Sequence, residues 1–200
     1  MTRTASPAIV IVPGLRDHVD QHWQTLLADR LAEAGRTVRT VPPLTHDGLS
    51  RKARVAALDR VVTQLAEPVV LVAHSAGVIT TVHWAQQHRA EVRGALLVTP
   101  PDFDTPLPEG YPTPEVLAAN GWSPVPRSTL PFPTIVGASS DDPLGETDRV
   151  RALALAWGSR IVELGAVGHL NPASGYGPWP RAEELLRDLH ATADHVHIHG

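Results

Sequence analysis

The chain has 200 residues, of which 42% are hydrophobic and 19% charged. That balance excludes a disordered or fibrous protein, and the length gives one domain a core that needs no disulfide or metal. Cysteine is absent and the formal net charge is −4 with both signs mixed, which excludes a disulfide framework, thiolate chemistry and Cys-ligated zinc and points away from a nucleic-acid partner.

The pattern in chain order is regular. The apolar run within Met1 to Val12 is too short for a signal peptide, ends at Pro13-Gly14 and has no small-residue cleavage site after it. Ile9 to Val12 therefore reads as a first strand, buried on both faces. Asp20 is the expected cap of a helix in which Trp23, Leu26, Leu27, Leu31 and Ala34 recur at helical spacing, and Gly35 stops it. Thr37 to Val41 is a short strand, cut off by Pro42-Pro43. Ser50 is the expected cap of a second helix with Val55, Leu58, Val62 and Leu65 inward. Val69 to Val72 is a third strand, and Val78 to Arg89 can form a helix after it. Ala95 to Val98 is a fourth strand. Pro100 to Pro131 then holds nine of the chain's 19 prolines, which excludes a long helix or a central strand and leaves room for a short helix over Pro114 to Asn120. So long a connection in a compact domain is more often functional than idle. Thr134 to Val136 is a fifth strand. Val150, Leu153, Ala154 and Trp157 mark a helix, Ile161 to Leu164 is a sixth strand, and Arg181 to Leu189 is a last helix with Leu185, Leu186 and Leu189 facing in.

Strand and helix alternate throughout. The expectation is one α/β domain spanning residues 1–200, a three-layer α/β/α sandwich around a mostly parallel sheet of about six strands. No window approaches the length of a membrane span, so a soluble, cytoplasmic protein without a membrane partner is expected.

In open parallel sheets, reactive groups gather at the carboxyl ends of the strands. Ala73-His74-Ser75-Ala76-Gly77 follows the third strand and precedes a helix. Small residues two positions either side of a serine, in a strand-turn-helix context, are the pattern of a nucleophile elbow. The competing reading is an ordinary turn with an N-capping serine. Asp141-Asp142 follows the fifth strand and Gly168-His169 the sixth. A serine hydroxyl becomes a nucleophile when an imidazole takes its proton, and the imidazole needs a carboxylate to fix its tautomer. The order Ser…Asp…His is the order α/β-hydrolases use. Pro13-Gly14-Leu15 ends the first strand. Its Leu15 N–H is expected to pair with the Ala76 N–H as an oxyanion hole, with Gly14 allowing close backbone approach.

With these residues in hand, the chain resembles the small serine hydrolases of the retinoblastoma-binding-protein-nine family, which includes the bacterial YdeN-like proteins. The matching stretches are Val10-Ile11-Val12-Pro13-Gly14, His22-Trp23-Gln24, Ala73-His74-Ser75-Ala76-Gly77, Ser140-Asp141-Asp142-Pro143, and Gly168-His169-Leu170-Asn171 running on to Ser174-Gly175-Tyr176-Gly177-Pro178-Trp179-Pro180. The resemblance implies a compact α/β-hydrolase fold without a large lid domain, with Ser75 as nucleophile, Asp142 as acid and His169 as base. The elbow departs from many relatives in having Ala73 in place of glycine. A Leu-x-Cys-x-Glu motif for the retinoblastoma protein is impossible in a chain without cysteine, so that partner is not carried over.

Asp142 is also favoured over Asp141 because Pro143 biases the residue before it towards extended backbone. Asp102 and Asp104 are the next carboxylates along this edge. His22, Trp23 and His74 are candidate pocket-lining residues, with Trp23 equally in phase with the core leucines. His195, His197 and His199 would share one face of an extended segment, where three imidazoles could catch a transition metal, or they belong to a frayed tail. The expected activity is hydrolysis of a small ester, thioester or amide through an acyl-enzyme, on a small-molecule acyl substrate and with no metal or cofactor. An acyltransferase on the same triad, or a non-catalytic binding module, are the alternatives that fold alone leaves open.

Overall fold

A computed structural model describes residues 6–16, 19–87 and 89–197. The strands are β1 (Ala8–Val12), β2 (Val38–Thr40), β3 (Val69–His74), β4 (Val92–Val98), β5 (Thr134–Ser139) and β6 (Arg160–Gly165). The helices are α1 (Trp23–Glu33), α2 (Arg51–Thr63), α3 (Ala76–Gln87), α4 (Pro114–Ala119), α5 (Thr147–Ala156) and α6 (Arg181–His197). All six strands form one sheet in the order β2-β1-β3-β4-β5-β6, and every pairing is parallel.

The run of apolar residues in each central strand has a direct structural use. Successive side chains point to opposite faces of the sheet. Val10, Leu71, Leu97 and Val136 enter the core shared with α2, α3 and α5. Ile9, Val70, Leu96 and Ile135 enter the core shared with α1 and α6. A central strand is therefore apolar along most of its length, and β3, which is apolar up to its final His74, is buried throughout. The result is a three-layer α/β/α sandwich.

Several expected boundaries differ. The cap of α1 is His22, not Asp20. His22 N donates to Val19 O at 2.9 Å, so a turn occupies 19–22 and the helix opens at Trp23. The His22 imidazole then accepts from Gln24 N at 3.2 Å. Helix α6 runs on to His197. The extended segment expected at His195 and His197 is therefore helical backbone, and His199 lies outside the described residues.

The proline-rich connection between β4 and β5 is a folded flap. Thr113 caps α4, with Pro114 at its first position, where a missing N–H costs nothing. Trp122 is fully buried and its indole N–H donates to Leu49 O at 2.6 Å. Phe103 stacks edge-on against it at 5.4 Å.

The order of strands puts a topological switch point between β1 and β3, where crevices open at the carboxyl edge. Here α3 starts against the end of β1. A Cβ on Gly77 would collide with the carbonyl oxygen of Val12 and come within 2.7 Å of that of Pro13. Gly77→Ala should lower stability by about 3 kcal/mol, since backbone and not a pliable side chain must move. Chemical denaturation measures this, and an unchanged midpoint would mean that the elbow has room to spare.

Candidate active site

Ser75 stands between the last residue of β3 and the first of α3 with φ of +56°. That left-handed conformation costs a non-glycine residue on the order of 1 kcal/mol. It persists because both sides of the turn are fixed. Ser75 N donates to Val98 O of β4 at 3.0 Å, and Val78 N donates to Ser75 O at 2.8 Å. The side chain does not cap the helix. Its Oγ lies 2.7 Å from His169 Nε2.

His169 Nδ1 lies 3.0 Å from Asp142 Oδ1 and 2.9 Å from Asp142 Oδ2. Both partners are buried. Facing a carboxylate, Nδ1 carries the proton, which leaves the Nε2 lone pair towards Ser75. Asp142 Oδ1 also accepts from Leu144 N at 2.9 Å, which fixes the carboxylate. Asp141 turns the other way. Its Oδ1 accepts from Ser139 Oγ at 2.9 Å and from Gly168 N at 2.7 Å, tying the β5 loop to the β6 loop. Asp102 is committed to Arg149 and to Asp104 N, and Asp104 binds Ser123, Val125 and Arg127. Neither reaches His169.

The loop carrying His169 is braced from below. Its N–H donates to Ser174 Oγ at 3.1 Å, and Ser174 Oγ donates to Asn171 Oδ1 at 2.9 Å. Its carbonyl accepts from His74 Nε2 at 2.8 Å. Gln24 spans the neighbouring strand ends, donating to Val72 O at 2.9 Å and Val12 O at 3.3 Å. Nothing in the local sequence marks Asn171, Ser174 or Gln24 for these roles. Their one signal is that they fall inside the stretches shared with the resembled family.

A cavity of about 430 Å³ opens over Ser75 and His169. Leu15, Leu49, Phe103, Leu107, Tyr111 and Leu144 give it apolar walls, and His22 and His74 also line it. Trp23 does not line it. Its ring is buried with Ile9 and Ile11 and meets Trp179 edge-on at 5.0 Å, so the helical phase that made it a core residue prevails. Leu15 and Gly14 border the cavity beside Ser75. Among the described residues, neither the Leu15 N–H nor the Ala76 N–H donates a hydrogen bond. Among the described residues, no cluster of three histidines or carboxylates could hold a metal ion, and no helix is long and apolar enough to cross a membrane.

Three imidazoles lie together here. The His22 and His74 rings are 4.6 Å apart, and those of His74 and His169 4.9 Å. Burial, and then the charge His169 can carry, push His22 down to about 4. Burial pushes His74 well below its ordinary value too, with His169 and then His22 adding to it. Both therefore stay neutral near pH 7. Between pH 6.5 and about 4 the unfolded chain takes up a proton on His22 that the folded protein refuses. The stabilising contribution of neutral His22 is thus complete above pH 6.5 and is lost as pH falls towards 4. His22→Asn keeps a capping side chain and should flatten this acid-side loss by on the order of 3 kcal/mol. Denaturant midpoints across the acid range measure it, and equal slopes in both proteins would mean that folded His22 protonates normally.

A family model described as serine hydrolase matches residues 9–188. A Pectobacterium atrosepticum protein described as a YdeN-like hydrolase is 28% identical, with 94% of this chain and 92% of that chain covered and a TM-score of 0.75. The ydeN gene product of Bacillus subtilis shares the fold at 20% identity, with 93% and 100% covered and a TM-score of 0.73. Est1E of Butyrivibrio proteoclasticus shares it at 12% identity, with 95% and 90% covered and a TM-score of 0.69. No curated protein sequence matches the chain. With its model matched over nearly the whole sequence, the chain belongs to the serine hydrolase family, as a hydrolase of compact α/β-hydrolase fold similar to the YdeN-like proteins.

Proposed function

We propose that the protein hydrolyses small carboxylic esters, thioesters or amides with an apolar acyl group, through a covalent acyl-enzyme on Ser75. The observation that carries this reading is the hydrogen-bonded series Asp142–His169–Ser75, at the floor of an apolar cavity. Ser75 Oγ attacks the carbonyl carbon as His169 Nε2 takes its proton. The carbonyl π electrons move onto oxygen. The N–H groups of Leu15 and Ala76 receive that oxyanion, each worth about 3–4 kcal/mol in the transition state. Collapse re-forms the carbonyl and breaks the bond to the leaving group, which takes the proton from His169. Water then enters, gives its proton to His169, and releases the acid as Ser75 recovers its hydrogen. Asp142 stays ionised and holds the imidazolium that forms in both halves.

Neutral His22 and His74 serve the same end. A second imidazolium within 5 Å would repel the charge that His169 must acquire. The flap supplies the acyl-size limit, because Phe103, Leu107 and Tyr111 stand across the cavity.

Ser75→Ala should abolish labelling by a fluorophosphonate probe with no change in melting temperature; full labelling of the variant would end the serine-nucleophile reading. Asp142→Asn should lose about 10⁴-fold in turnover of p-nitrophenyl esters, while Asp141→Asn should keep turnover and lose about 1 kcal/mol of stability. The reverse outcome would exchange the two aspartates. Leu107→Ala should shift kcat/KM towards longer acyl chains by about tenfold. An unaltered chain-length profile would move the acyl group away from the flap.

A further inference from the structure

Arg54, in the second turn of α2, is 7% exposed. Burying a guanidinium is costly unless its donors are met, and backbone carbonyls of two loops meet this one. Nε donates to Gly48 O at 2.6 Å, Nη1 to Gly14 O at 3.2 Å and Nη2 to Leu15 O at 3.1 Å. The Gly14 carbonyl belongs to the same peptide unit as the Leu15 N–H. That peptide is trans, so its N–H points opposite to its C=O. Pulling the carbonyl towards Arg54 drives the N–H the other way. A charged donor on the carbonyl also strengthens the N–H as a donor, because hydrogen bonds through one peptide polarise each other. The peptide has no strand to hold it, since β1 ends at Val12. The next peptide is held likewise through Leu15 O.

We infer that Arg54 is a positioning residue for the transition state: its guanidinium orients and polarises the Gly14–Leu15 peptide as an oxyanion donor. This rests on the reading of Ser75 and Leu15 given above. The substrate class that reports it is an ester paired with its thionoester, in which sulfur replaces the carbonyl oxygen and accepts hydrogen bonds poorly.

The test compares the whole protein with its Arg54→Met and Arg54→Lys variants on p-nitrophenyl butyrate and its thiono analogue. Arg54→Met should lower kcat on the ester about 10²-fold with KM within about twofold. Its rate on the thionoester should fall far less, so the ratio of the two rates narrows. Arg54→Lys keeps the charge without the fork and should recover part of the loss. A residue serving stability alone would lower the melting temperature and leave the ratio unchanged. An unchanged ratio in a folded variant overturns the proposal, as does an equal loss on both substrates. Failure of both variants to fold overturns it too, since stability is then the role that remains. Labelling of the wild-type protein at Ser75 separates the two levels. If wild type labels and the ratio holds, Arg54 alone is misassigned; if wild type neither labels nor hydrolyses the ester, both readings fall.

Discussion

The structure depends on one backbone contact: the start of α3 pressed against the carbonyls that end β1, with only Gly77 between them. This contact joins two strands that are adjacent in the sheet but about sixty residues apart in the chain. It brings the loop after β1 and the turn after β3 to one point. Gly14 approaches from the other side, less closely, where a Cβ would be 3.2 Å from Ser75 Cβ. With both approaches filled by hydrogen atoms, the left-handed turn at Ser75 has nowhere to relax. Strain of on the order of 1 kcal/mol is small beside the burial of the strands that hold it.

Electrostatics at the site follow from burial rather than from net charge. Three imidazoles share a small volume, yet one of them faces a carboxylate. His22 and His74 are spent on backbone groups, the first accepting from Gln24 N and the second donating to His169 O. Burial keeps them neutral. The site therefore sets two uncharged rings beside the imidazole that lies between Asp142 and Ser75.

The alternation of elements was legible in the sequence because a doubly buried parallel strand must be apolar at each position. Ser75, Asp142 and His169 could be picked out because each follows such a strand, and the sheet carries all three strand ends to one edge. Residues whose function is defined by a distant partner were not legible. His22 is legible as a cavity residue, but its second use as the cap of α1 depends on the turn at 19–22. Asn171 and Ser174 acquire a role only when a tight turn folds them under His169. Nothing in the sequence marks Arg54, because two of its three carbonyl partners lie about forty residues away. Trp23 was ambiguous for a physical reason: one helical turn can face both the core and the active edge.

The flap between β4 and β5 is anchored mostly to helices and their loops. Trp122 binds Leu49 O, Arg51 binds Gly121 O, and the Trp157 indole at the end of α5 binds Pro126 O. None of these anchors touches the elbow or the loop that carries His169. Only the start of the flap meets the site's own loops, where Asp102 N donates to Leu144 O at 2.8 Å, so mutational drift at Leu107 or Tyr111 can change what fits over Ser75 without breaking the hydrogen bonds beneath it. A lineage built on this frame can reshape the cavity by small steps, each a folded protein, because most of the flap's fastenings lie away from the residues beneath it.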